Sequence, residues 1–175
     1  MSDQWFLDQA RLGNMFHANG LSVTLSGLST TATGLALSNP YGSGKDLVIR
    51  QMRFQPSTAP AGASIVYMAV SPAVSTTAVT HTTPAVIHNA RTHGSNVNPG
   101  KALADTAATT VGTPVMLRAL GSVVAASSIT PAAYVDYTDG SIIVIPGTSI
   151  QFAFTTTAAV GHCSLTWVEV NAEAN

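Results

Sequence analysis

From Leu21 onward, apolar residues alternate with small polar ones over most of the chain. Leu21, Val23 and Leu25 are separated by Ser22, Thr24 and Ser26, and Leu35 and Leu37 by Ala36. A period of two places one face of an extended strand on a core and the other toward solvent. Further strand patterns run through Leu47 to Phe54, Ser64 to Val70, Val115 to Leu120, Ala133 to Tyr137, Ser141 to Ile145, Ser149 to Thr155 and Ser164 to Val170. The run SIVYMAV, Ser64 to Val70, is continuously apolar enough to be a central strand. Turn residues punctuate the pattern: Asn39 to Gly44, Ala59 to Gly62, Asp139-Gly140 and Pro146-Gly147. Ser71 to Asp105 has little periodicity and reads as a long connection with one short strand near Ala85 to His88. About eight strands or slightly more, with no long helix, predict an all-β fold. The architecture expected is an antiparallel two-sheet sandwich of jelly-roll type with an N-terminal arm.

The arm is residues 1–20, and the sandwich domain is residues 21–175. Trp5, Phe6, Leu7, Leu12, Met15 and Phe16 lie among polar residues there, and Phe6, Leu7 and Ala10 fit one or two helical turns before Gly13. A segment this short is not a stable helix alone. Its aromatics need a surface, either its own sandwich or a neighbouring subunit. Trp5, Phe6 and Phe16 are the expected interface anchors.

Composition sharpens this picture. Only 9% of the 175 residues are charged, against about 25% in ordinary domains. Seven Lys and Arg against eight Asp and Glu leave a net charge of −1. Charge does little to keep such a monomer apart in solution. The expectation is a homo-oligomer, a trimer, with much of its surface covered. The scattered basic residues argue against nucleic-acid binding. No apolar run reaches the length of a membrane-spanning helix, and the first residues do not read as a secretory signal.

No reactive constellation stands out. Gly42-Ser43-Gly44-Lys45 lacks the upstream glycine and following hydroxyl of a phosphate-binding loop, and a strand follows it. It reads as a turn. His81, His88 and His93 are close in sequence, but no Cys, Asp or Glu near them completes a zinc set, and the next acid is Asp105. His17 and His162 are isolated. Asp136 and Asp139 flank Tyr137, and Asp139 belongs to the turn rather than to a glycosidase pair. No serine sits in a nucleophile elbow. Cys163 and Trp167, both in the last strand pattern, read as core residues. No cofactor or metal is expected, and no catalytic residue is assigned.

Two segments, Thr33 to Met52 (TGLALSNPYGSGKDLVIRQM) and Ile145 to Val170 (IPGTSIQFAFTTTAAVGHCSLTWVEV), cover about a quarter of the chain. They resemble jelly-roll head cement or decoration proteins of tailed bacteriophages. The resemblance implies a non-enzymatic virion component on the capsid surface, made in the host cytoplasm. It implies trimers that bridge and stabilise neighbouring major capsid protein subunits. A carbohydrate- or receptor-binding module of a tail fibre shares the fold class. It would need surface aromatics such as Tyr41, Tyr134 and Tyr137. A depolymerase would need paired acids in a cleft.

Overall fold

The computed structural model describes residues 2–59, 61–71, 74–76, 79–91, 100–124, 133–156 and 158–173. In chain order, α1 (Asp3–Leu12) precedes β1 (Met15–Leu25), β2 (Ala36–Ser38), β3 (Lys45–Pro56) and β4 (Ser64–Val70). Short strands β5 (Thr80–His81), β6 (Ile87–Asn89), β7 (Leu103–Asp105) and β8 (Ala108–Thr109) follow. The last are β9 (Val115–Val123), β10 (Tyr134–Tyr137), β11 (Ile143–Val144), β12 (Ser149–Phe154) and β13 (Ala159–Asn171). The periodic segments became strands as expected. Part of the aperiodic connection also contributes strands, β5 to β7, because backbone pairing does not require alternation.

The fold is an antiparallel two-sheet sandwich. One six-stranded sheet runs β10-β3-β13-β1-β6, with β11 also on β3, and a five-stranded sheet runs β7-β2-β12-β4-β9. β5 and β8 form a small separate ladder. Phe16, Ile49, Phe54, Leu165 and Trp167 of the first sheet meet Leu37, Met68, Phe152 and Phe154 of the second in one core. Trp167 stacks on Phe16 at 6.0 Å between ring centroids, and Phe54 meets Phe154 edge-on at 5.4 Å. Such ring pairs add about 0.5–1.5 kcal/mol beyond the area they bury. Cys163 is buried here too, and burial pushes its thiol up to about 12, so it is a packing residue.

The turns follow their residue chemistry. Asp139 and Gly140 both take positive φ, 47° and 85°, in a tight turn closed by Ser141 N on Thr138 O; β10 and β11 on either side both pair with β3, so the turn is an outward loop in one edge and not a hairpin. Buried Asn39 donates through Nδ2 to the carbonyls of Lys45 (2.6 Å) and Val144 (2.8 Å), and accepts from Ser43 Oγ at 2.7 Å. That side chain closes the Gly-Ser-Gly loop before Lys45 enters β3.

The N-terminal segment departs from the expected arm. α1 is a 10-residue helix capped by Ser2 and by left-handed Gly13, longer than the one or two turns expected. It is anchored by burying Phe6 against Val48 and Val168 on the outer face of the first sheet. Residue 20 lies inside β1, so the expected boundary between residues 20 and 21 does not separate two units. β1 pairs with β13 from Met15 opposite Val168 to Leu25 opposite Ala159, with a bulge between Gly20 and Val23.

Candidate interaction surface

The structure does not gather Trp5, Phe6 and Phe16 on one surface. Phe16 is fully buried in the main core, and an interface role would require opening that core. Phe6 is buried in the separate cluster beneath α1, with Trp5 partly buried beside it and edge-on to its ring. Arg50 lies over Phe6 at 4.3 Å and also pairs with Asp3 at 2.7 Å and with Asp139. One guanidinium thus fastens both the helix start and the Asp139–Gly140 turn to β3. The aromatics were legible as needing burial; their partner is their own sandwich.

Exposed apolar residues occur along α1, at Leu7 and Leu12, and three in succession occur on β9. β9 is the outermost strand of the five-stranded sheet and, among the described residues, pairs with β4 alone. Val115, Met116 and Leu117 are 47%, 50% and 45% exposed. Neighbouring side chains point to opposite faces, so β9 is open on both. Its pairing with β4 breaks register twice, between Val66 and Tyr67 and between Met68 and Ala69. Bulges of this kind twist an edge away from unplanned pairing. Side chains bridge β9 to β10, the edge of the other sheet. Arg118 Nη2 donates to Asp136 Oδ1 at 3.1 Å, and Nε lies 2.5 Å from Oδ2 without hydrogen-bond geometry, an ion pair between the two sheets. Asp136 is therefore a clasp and not half of a catalytic pair with Asp139, which belongs to Arg50. Tyr134 Oη donates to the Ser122 carbonyl at 2.8 Å. A Cβ at Gly121 would fall 2.8 Å from Cε1 of the Tyr134 ring. Of the tyrosines a sugar platform would use, Tyr134 stacks on Phe54, and Tyr41 and Tyr137 are exposed on separate loop and strand positions.

Polar clusters occupy the opposite side of the sandwich. The Glu169 carboxylate, nearly buried, accepts from Lys101 N at 2.9 and 2.8 Å and from Ala102 N at 3.0 Å. Asp105, fully buried, accepts from Thr83 N at 3.1 Å and Ala107 N at 2.5 Å. Sequence order concealed a third set. Ser38 Oγ lies 3.1 Å from His81 Nε2, and His81 Nδ1 lies 3.4 Å from Asp105 Oδ2. The order resembles a nucleophile, base and orienting acid. Its surroundings fit a staple better. Nδ1 makes no hydrogen bond, and the adjacent Asn39 N–H is spent on Thr148 O at 2.9 Å, so it cannot serve as an oxyanion donor. The cleft beside Ser38 holds about 30 Å³, room for water rather than substrate.

The histidines sort differently from their order in the chain. His88 stands directly opposite His17 across β1 and β6, not beside His81. Burial, and then the His88 charge, lower the His17 pKa; its Nδ1 meets Thr166 Oγ1 at 2.9 Å. His162 accepts from Ser22 N at 3.2 Å. His93 lies outside the described residues. Among the described residues, no three His, Cys, Asp or Glu side chains form a metal-binding group.

No protein-family model, no curated protein and no solved structure matches this chain.

Proposed function

We propose that this chain is a structural protein of a bacteriophage particle, a capsid cement or decoration protein that bridges major capsid protein subunits as a homotrimer. It acts by binding, without catalysis, cofactor or nucleic acid, at the capsid surface. The observation that carries this reading is the apolar edge at Val115, Met116 and Leu117 in a chain with so little charge. Apolar positions of this kind mark interaction sites when they are contiguous, and a weakly charged surface can be covered without stranding ions.

The strand order supports the jelly-roll form of the sandwich. Take β1, β2, β3, β4, β9, β10, β12 and β13 as successive principal strands. One sheet then runs first, eighth, third, sixth, and the other second, seventh, fourth, fifth. That order matches the double Greek key of viral capsid domains, which lectins also use, and so favours the jelly roll over other sandwiches. The resemblance of Thr33 to Met52 and Ile145 to Val170 to phage decoration proteins favours the capsid among these.

The test is co-purification with intact particles at a fixed ratio to the major shell protein. Light scattering should show an oligomer at tens of micromolar. A strict monomer absent from particles, with specific hits on a glycan array, would replace this reading with a sugar-binding module.

A further inference from the structure

Eight acidic side chains are present, and the structure accounts for six. Asp3 and Asp139 share Arg50, Asp8 faces Arg11 and Asp136 holds Arg118. Asp105 and Glu169 are buried on backbone N–H groups. Among the described residues, Asp46 and Glu173 alone have neither a cation within 4.0 Å nor a backbone cage. Both line the same groove, of about 560 Å³.

The register explains the shape of that groove. Asp46 stands opposite Val170, and Val48 opposite both Val168 and Ile143. All therefore share the outer face of the six-stranded sheet. α1 covers the part of this face around Val168 through Phe6. The part beyond, floored by Val48 and Val170, is uncovered among the described residues, with Ile143 50% and Ile145 41% exposed along its side. Burial, and then the neighbouring Glu173 charge, raise the Asp46 pKa, as expected of a carboxylate with a like charge beside it and no counterion. Lys45, next in the chain, is turned to Asn171 Oδ1 at 2.7 Å.

We infer that this groove docks an apolar segment of another protein chain that presents one lysine or arginine between Asp46 and Glu173. The stem of such a side chain would lie on Val48, Val170 and Ile143, and its charged head would meet the two carboxylates. The inference deepens the bridging role proposed above and rests on it for the identity of the second chain.

The test uses three synthetic hexapeptides of alternating valine and serine with lysine, norleucine or glutamate at the centre, read by fluorescence anisotropy on the full chain. The lysine peptide should bind on the order of ten-fold tighter than the norleucine one, and salt should erase the difference. The double variant Asp46→Asn, Glu173→Gln should lose the preference while circular dichroism is unchanged. Ile143→Ser should weaken both peptides. Equal binding of the lysine and norleucine peptides, or no binding of the lysine peptide at about 1 mM, overturns the inference. So does a calcium titration that raises Tm in the native chain and not in the double variant, which would make a divalent cation the occupant. Peptide failure with particle co-purification intact removes the groove and leaves the bridging role standing.

Discussion

The two long sides of the sandwich are closed by different chemistry. On the β6–β7 side, loop backbone is tied to buried carboxylates: Glu169 holds the N–H groups of Lys101 and Ala102, and Asp105 holds those of Thr83 and Ala107. On the β9–β10 side, among the described residues, side chains reach across, through Arg118–Asp136 and Tyr134 over Gly121. A carboxylate holding backbone N–H groups away from water cannot be released cheaply. A half-exposed ion pair can. The first side is built to stay shut, and the second leaves apolar positions facing outward.

The largest break in this contrast should come from Glu169→Ala. It strands the Lys101 and Ala102 N–H groups beside the core, at a cost of about 3 kcal/mol, read as a lower urea midpoint. Glu169→Gln, which keeps an acceptor, should lose less. Gly121→Val comes next. Its side chain must displace the Tyr134 ring, for about 1–3 kcal/mol, with a change in tyrosine near-ultraviolet circular dichroism. Arg118→Ala should cost about 1–2 kcal/mol: Arg118 is 45% exposed at its side chain, but Asp136, 16% exposed, is left without its cation; a loss near that of Glu169→Ala would dissolve the distinction between the sides.

A smaller effect should appear only with pH. The His17 pKa is lowered by burial and by His88, which faces it from β6, while Thr166 faces it from β13. Above about pH 6.5 the imidazole is neutral in folded and unfolded chains alike. Below that value the unfolded chain takes the proton more readily, so stability falls as the solution is acidified. His17→Gln should flatten the decline in Tm between about pH 7 and about pH 5.5. Smallest of all on stability is Met116→Ser with Leu117→Ser, within about 0.5 kcal/mol. The same double change should reduce the oligomer seen by light scattering, because those side chains face solvent in the single chain.

Alternation and turn residues were enough to read the strands, because half-buried strands and tight turns impose local rules. Trp167 and Cys163 were legible as core for the same reason. The fate of Phe16 was not. Local pattern changes at Leu21, but β1 already runs from Met15, and only its pairing with β13 reveals this. The Ser38, His81 and Asp105 cluster was hidden likewise. His81 lies within the aperiodic stretch and Asp105 ends it, and Ser38 joins them through sheet pairing that no local signal encodes. The Asp46 groove left a faint trace, an acid followed by a β pattern, but its loneliness is visible only after every other acid has found a partner.

The pairing of β1 with β13 also governs how the chain is made. β13 lies between β1 and β3, and about 150 residues separate Met15 from its partner Val168. On a ribosome the first sheet therefore stays split until β13 has emerged, with β1 and β3 each lacking a neighbour. Closure across so long a loop is slow relative to local structure formation. The nascent chain must keep two unpaired strand edges from finding other chains in the meantime, and its sparse charge gives it little repulsion to do so. Low growth temperature and slow synthesis should therefore raise the soluble yield more than they would for a helical protein of equal size.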